Sequence, residues 1–302
     1  FDEKDFTKLR PPDTLLSIVC STMAHLANPW IVYYGFEPTE QNRAPQQTLS
    51  QLMGWRAQHA DLFVGLRPAA PVAVLVSTVS RNCRGTPLTP PCLRELRSRG
   101  VPVRAVSDRH ANADTLADVK VLVAQGVPCM SEETATHLAS WVRSGGTLVA
   151  DDDTGWYDDI GRLRPASGLL RALGLAQVAD GVAAVGAGRF IPGGIGGGAA
   201  ARVLKQHAWW VDVDEQRPWE IVPYASADRH TMVVHLLEHA ESARDNGALS
   251  IPLPSTGGAE AVEFLSPLAP AVPEPRWQAE ERALHLSLSG LPRYGVVRIR
   301  LR

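Results

Sequence analysis

A chain of 302 residues, 45% apolar and with a formal net charge of −2, has material for two domains and a partial third. That balance gives no electrostatic reason to expect a nucleic acid or an anionic membrane as partner, and no run of about eighteen apolar residues is present to span a bilayer. Four scattered cysteines, Cys20, Cys83, Cys92 and Cys129, form no C-x-x-C pair, so a reduced, cytoplasmic setting is the expectation.

The opening "FDEKDFTKLRPP" has neither the basic start nor the apolar core of a signal peptide, and a chain that begins on Phe1 is expected to lack its true N-terminus. Residues 13–36, "DTLLSIVCSTMAHLANPWIVYYGF", read as a helix capped by Asp13, a turn at Asn28-Pro29 and a strand from about Trp30. A second helix follows, with Leu49, Leu52, Met53, Ala60 and Phe63 near helical spacing. Such a unit leaves both sheet edges open, so it has to complete or dock on something else.

After "LRPAAP" the pattern sharpens. "VAVLVS" (72–77) is an apolar strand, and Thr89-Pro90-Pro91 is expected to cap and open a helix through Leu93 and Leu96 that stops at Gly100. "VPVRAVS" and "VKVLVA" are two further strands. Ser131 then caps a helix with Glu132 and Glu133 in its first turn, a buried stripe of Ala135, Leu138, Ala139 and Val142, Arg143 in its last turn and Gly145 just beyond. "TLVA" (147–150) is the next buried strand. Continuous apolar strands alternating with amphipathic helices predict an α/β fold built on a doubly wound parallel sheet. "GVAAVGAGRFIPGGIGGGAAA" reads as a strand and a flexible, glycine-rich connection. From about residue 225 the period becomes two: Leu284, Leu286 and Leu288 alternate with His285, Ser287 and Ser289, and Val297, Ile299 and Leu301 with arginines. That is the pattern of half-buried antiparallel strands, expected to form a small β-sandwich.

Four stretches invite chemistry. "HLLEH" matches the inverted zinc-peptidase motif, which needs His235, Glu238 and His239 on one helix; as an extension of the strand "TMVV" it would hold the two histidines about 13 Å apart. "GGIGGG" (193–198) lacks the G-K-[ST] ending of a phosphate loop. Cys129 precedes a helix, yet Pro128 and Met130 make a poor nucleophile elbow, so a structural cysteine is the better reading. The loop "DDDTGWYDDIG" holds five aspartates after a buried strand. It does not complete a calcium loop, and a glycosidase carboxyl pair usually comes from different strands. A solvated loop, or a rim that meets a ligand or partner at the carboxyl end of the sheet, stays open.

Taken together, "NPWIVYYGF", "AAPVAVLVS", "VKVLVAQGVPCMSEETATHLASWVRSGGTLVADDDTGWYDDIGRLR" and "GAGRF" resemble the rear part of glycoside hydrolases that include the family 42 β-galactosidases. The resemblance implies the end of a (β/α)8 barrel over residues 1–66. A class I glutamine-amidotransferase-like, flavodoxin-like trimerisation domain would follow over 67–222, and a β-sandwich over 223–302. It implies retaining hydrolysis of β-galactosides or related oligosaccharides in the complete protein, with two catalytic glutamates lying before Phe1, so that this chain carries no catalytic residue. It further implies a homo-oligomer, a trimer, and neither cofactor nor metal. Glu37 would contact sugar at the barrel mouth beside Tyr34 and Trp30, or else be a surface-loop glutamate. Asp153 and Trp156 would face a sugar or a partner surface. A non-catalytic assembly or carbohydrate-binding protein is the alternative, ahead of a zinc peptidase.

Overall fold

The computed structural model describes residues 12–29, 40–87, 89–176, 181–211, 219–238, 246–253, 258–269, 274–280 and 282–302. The chain forms two compact units. Ala69–Pro218 is one; the residues up to Pro68 together with Trp219–Arg302 are the other.

Among the described residues the first elements are α1 (Pro12–Ala24), α2 (Glu40–Gln58) and β1 (Leu66–Pro68), which belong to the second unit. The first unit runs β2 (Val72–Val76), α3 (Thr78–Arg84), α4 (Pro91–Ser98), β3 (Val103–Ser107), α5 (Ala113–Leu116), β4 (Val121–Ala124), α6 (Glu132–Arg143), β5 (Thr147–Ala150), α7 (Gly168–Leu173), β6 (Ala183–Val185), β7 (Gly188–Ile191) and α8 (Gly198–Lys205). Its sheet has the order β3-β2-β4-β5-β7-β6; the first five strands are parallel and β6 closes one edge antiparallel.

The strands are apolar on both faces because both faces are covered. Val72 and Val74 of β2 pack with Leu93 and Leu96 of α4 and with Val203 and Leu204 of α8. Their neighbours Ala73 and Leu75 point the other way, toward Leu138 and Val142 of α6 and Leu169 of α7. The expected parallel sheet between two helical layers is therefore present. Ser131 caps α6, its Oγ accepting from Thr134 N at 3.0 Å. Gly188 lies so close to the end of that helix that a Cβ would stand 2.0 Å from the Val142 carbonyl oxygen and 2.3 Å from that of Gly146.

Three local expectations are corrected. Asp13 lies inside the first turn of α1 and is not ahead of it. Pro90 occupies the cap position of α4 without any side-chain bond, so Thr89 does not cap it. The glycine-rich stretch is not a loose connection: Gly194 N donates to Ala150 O at 3.1 Å, Ile195 is buried and packs in the core beside Ala200 of α8, and Gly193 and Gly194 take the positive φ angles that such turns require. Glycines serve the turn here, and the buried side chains around it hold the segment in place.

The second unit adds β8 (Glu220–Ser226), β9 (Thr231–Leu237), β10 (Asn246–Pro252), β11 (Ala259–Leu265), β12 (Arg276–Ala279), β13 (Ala283–Ser289) and β14 (Tyr294–Leu301). They make a five-stranded sheet, β1-β8-β9-β14-β11, and a three-stranded one, β10-β13-β12, antiparallel throughout. The period-two residues behave as expected: Leu284, Leu286 and Leu288 are buried while His285, Ser287 and Ser289 face water. The opening helices find their partner in this unit. Leu15, Val19 and Met23 of α1 and Leu49 and Leu52 of α2 pack on Val222, Tyr224, Val233, Tyr294 and Val296, and the Tyr224 hydroxyl donates to Ala24 O at 3.1 Å. On the other face of the same sheet Val234, Leu236, Val297 and Ile299 are buried as well.

Candidate functional site

At the carboxyl end of β5 the acidic loop begins. Asp151 turns back toward the end of β4, and its Oδ2 accepts from Gly126 N at 2.7 Å. Thr154 is buried; its hydroxyl donates to Ala124 O at 2.7 Å and touches the Asp151 carboxylate. The loop then runs beside the segment after β4: Gly155 N, Tyr157 N and Met130 N bond to Val127 O, Pro128 O and Tyr157 O at 3.1, 2.9 and 3.0 Å. Arg84 lies over the Tyr157 ring at 4.1 Å and also donates to its hydroxyl.

The five aspartates therefore have unlike roles. Asp158 accepts from Ile160 N and Arg162 N at 3.0 and 2.8 Å, and the Arg162 amide is the first cause that holds its carboxyl below the usual carboxylate range. Asp151 and Asp158 thus fix the backbone, while Asp152, Asp153 and Asp159 are exposed. Trp156 is half-buried and donates from Nε1 to Asp152 O at 2.7 Å, so its ring is fixed over the loop it belongs to. Among the described residues no group of three or more His, Cys, Asp or Glu is disposed to hold a metal. The same loop and its end expose Ile160 and Leu163, 58% and 67% accessible.

Cys129 is wholly buried, with its backbone held on both sides by the Ser80 hydroxyl. Burial, first among the causes, pushes its thiol pKa up, opposite to what a nucleophile needs. In "HLLEH" His235 sits on β9 in the core of the second unit, its Nδ1 at 2.8 Å from the Tyr294 hydroxyl. Desolvation pushes its pKa down to about 3, which keeps the ring neutral. The helix that zinc chemistry requires is replaced by a strand, so the peptidase alternative loses its geometry; His239 lies outside the described residues. Trp30, Tyr34 and Glu37, the expected barrel-mouth contacts, also lie outside them.

Reading by motif missed a second feature of the same sheet edge. Asp108 and Arg109 leave β3 as Asp151 leaves β5, and they border a cleft of about 360 Å³ with Glu133 and His137 of α6 and Asp159 of the acidic loop. The available sign was a charged pair directly after an apolar strand, at the end of the sheet where open α/β folds place ligands.

No family model matches the sequence, and no curated protein matches it in sequence. Its fold is shared with solved glycoside hydrolases. Gan42B, a GH42 β-galactosidase from G. stearothermophilus, is similar at 16% identity and TM-score 0.59 over 97% of this chain and 51% of its own. The β-galactosidase from Bacillus circulans sp. alkalophilus gives 14% and 0.53 over 88% and 46%. The α-L-fucosidase isoenzyme 2 from Paenibacillus thiaminolyticus gives 12% and 0.64 over 100% and 59%. The chain spans about half the length of these structures, and at such identities the likeness is one of fold. Among the described residues no helix is long and apolar enough to cross a membrane.

Proposed function

We propose that this chain is the rear portion of a glycoside hydrolase similar to the GH42 β-galactosidases, and that it supplies the assembly and accessory parts of that enzyme. The observation that carries the reading is coverage: a parallel-sheet unit and an antiparallel unit together align over 97% of the chain with about half of a GH42 enzyme. In this reading residues 1–66 end a catalytic barrel, 67–222 form an amidotransferase-like trimerisation domain and 223–302 a β-sandwich. The two catalytic carboxylates come from barrel strands outside the chain and act with retention. The buried, hydrogen-bonded Cys129 agrees with an amidotransferase-like sheet that has no thiol chemistry.

Glu37, with Tyr34 and Trp30, contacts the sugar in this proposal. Asp153 and Trp156 stand at a rim that meets substrate or a neighbouring subunit. The test is a longer protein in which a barrel precedes these residues. It is expected to hydrolyse an aryl β-galactoside or a related glycoside and to sediment as a trimer, whereas the 302-residue chain alone turns over none. In that protein, replacing Asp153 and Trp156 by alanine together is expected to raise KM or to lower oligomer mass. If a panel of aryl glycosides gives no turnover while the trimer forms, the non-catalytic assembly reading replaces this one.

A further inference from the structure

The cleft at the end of β3 and β4 has the position, size and chemistry of a ligand site. In the order β3-β2-β4-β5-β7 the chain goes to one side after β2 and to the other thereafter, and the crevice at the carboxyl ends of strands around such a reversal is where open α/β sheets bind ligands. Its volume, about 360 Å³, lies at the small end of the ~300–1,000 Å³ typical of such pockets.

One wall is rigid. Thr134 Oγ1 donates to Asp108 O at 3.1 Å, and Ser131 Oγ donates to Thr134 Oγ1 at 2.9 Å, which joins the start of α6 to the end of β3. Asp108 borders the cleft although only 7% of it is accessible. Its Oδ1 accepts from Arg109 N at 2.9 Å, with Ser107 Oγ 3.4 Å from the same atom, and no donor among the described residues holds its Oδ2. That oxygen is reached by water in the free chain and is open to a donor from a ligand. Around it stand Glu133 and Asp159, two more acceptors, and Arg109 and His137 as donors. Asn112, whose Oδ1 accepts from Thr115 N at 3.0 Å and caps α5, lines the cleft as well.

That mixture selects the class of ligand. Three carboxylates disfavour an anion, even at the start of a helix, because α6 already has its own cap and two glutamates in its first turn. Arg109 beside the acids disfavours a compact cation, and these side chains are not disposed as a metal site among the described residues. A neutral molecule whose groups both donate and accept satisfies acceptors and donors together. The geometry points to a binding site for a neutral sugar of one or two rings in the parallel-sheet unit, read by Asp108, Arg109, Asn112, Glu133, His137 and Asp159. Such a site would be present in this unit whether or not the complete protein is a hydrolase.

The test is a titration of the 302-residue chain with galactose, glucose, mannose, xylose and lactose, followed by amide chemical shifts. The expected result is a saturable shift with at least one of the five, confined to residues 108–112, 129–137 and 159. Arg109→Gln with Glu133→Gln, both exposed in the free chain, is expected to weaken that binding at least about tenfold, the effect of losing a hydrogen bond to a charged group, with unchanged melting temperature. No saturable shift with any of the five sugars overturns the proposal, as does a shift located elsewhere or one the double variant leaves intact. Titrations with spermidine and with inorganic phosphate complete the experiment, and tighter binding of either overturns the assignment to a neutral ligand. A chain that binds sugar while the longer protein hydrolyses nothing would separate this site from the proposed enzyme.

Discussion

In the parallel-sheet unit Val72 pairs with Val121, Val121 with Thr147 and Thr147 with Arg189, each step taken with the next or nearly next strand in the chain. In the antiparallel unit Leu66 pairs with Ser226, and helices from the start of the chain cover a sheet made almost wholly of residues after 219. The cores differ in kind as well. The parallel sheet is lined on both faces almost entirely by valine, leucine, isoleucine, alanine and phenylalanine. The covered face of the antiparallel sheet buries His235 and Tyr294 in contact with each other, and Glu220 at the start of β8 with His25 Nε2 at 3.3 Å from it. Buried polar groups occur in both units but in different places: in the first, Ser80, Asp108, Thr134 and Thr154 sit beyond the strand ends and bond to backbone, whereas in the second His235, Tyr294 and Glu220 stand on the strands themselves.

The sharpest way to break the first unit alone is Gly188→Ala. The added carbon meets two backbone oxygens, at 2.0 and 2.3 Å, that belong to the end of α6 and the turn after it; neither can swing aside as a side chain would. The expected cost exceeds about 5 kcal/mol, at the exceptional end for a single substitution. Hydrogen exchange should find the amides of β5 and β7 unprotected while those of β9 and β14 stay slow. Loss of protection in both sets would show that the two units fold as one.

Acid is expected to act on the other unit. The folded state keeps His235 neutral, with a pKa near 3 against an ordinary 6.5, so the unfolded chain takes up its proton first as the pH falls. The stabilisation is complete above pH 6.5 and is lost progressively toward pH 3. At roughly 1.4 kcal/mol per unit the loss grows to the order of 5 kcal/mol by the time the pH has fallen to about 3. His235→Gln retains a partner for the Tyr294 hydroxyl and has no titration. Its β9 and β14 amides are expected to show a flatter pH dependence between 6.5 and 3. An unchanged acid slope would assign the effect to other groups.

Leu138→Ala tests the apolar closure of the first unit. Leu138 is fully buried on α6 against the sheet, and truncating such a leucine costs about 2–5 kcal/mol. Denaturant unfolding followed through Trp141, on the same helix, measures it. A loss below about 1 kcal/mol would mean that the α6 layer is loosely packed.

How much of this was legible in the sequence follows from the same contrast. α6 could be read to the residue, because its cap, acidic first turn, apolar stripe and closing glycine are local and agree with one another. β2, β4 and β5 were equally plain as continuous apolar runs between helices. The partner of α1 and α2 was not, since no local pattern announces that Leu15 and Leu52 pack on Val222 and Val296. The glycine-rich turn misled because composition reports backbone freedom and not the buried Ile195 that removes it. At the sheet edge the aspartate cluster attracted notice by number, yet Asp151 and Asp158 are spent on backbone amides. The cleft depends on Asp108, a lone acid after β3, whose value appears only when α6 and the acidic loop close around it.

The smallest effect is expected where the local reading was most complete. Ser131→Ala removes the acceptor for Thr134 N and the donor to Thr134 Oγ1, and loss of such a cap costs about 1 kcal/mol. The change should lower the stability of the parallel-sheet unit by that amount and leave the antiparallel unit as it was. Ser131→Asp restores a cap acceptor and adds a negative charge at the positive end of the helix, so it should recover most of the loss. It cannot restore the hydroxyl proton that Ser131 gives to Thr134, whose own hydroxyl links α6 to the Asp108 carbonyl. Recovery of stability by aspartate, with sugar binding at the cleft still weakened, would separate the cap's contribution to the helix from its contribution to the wall of the site.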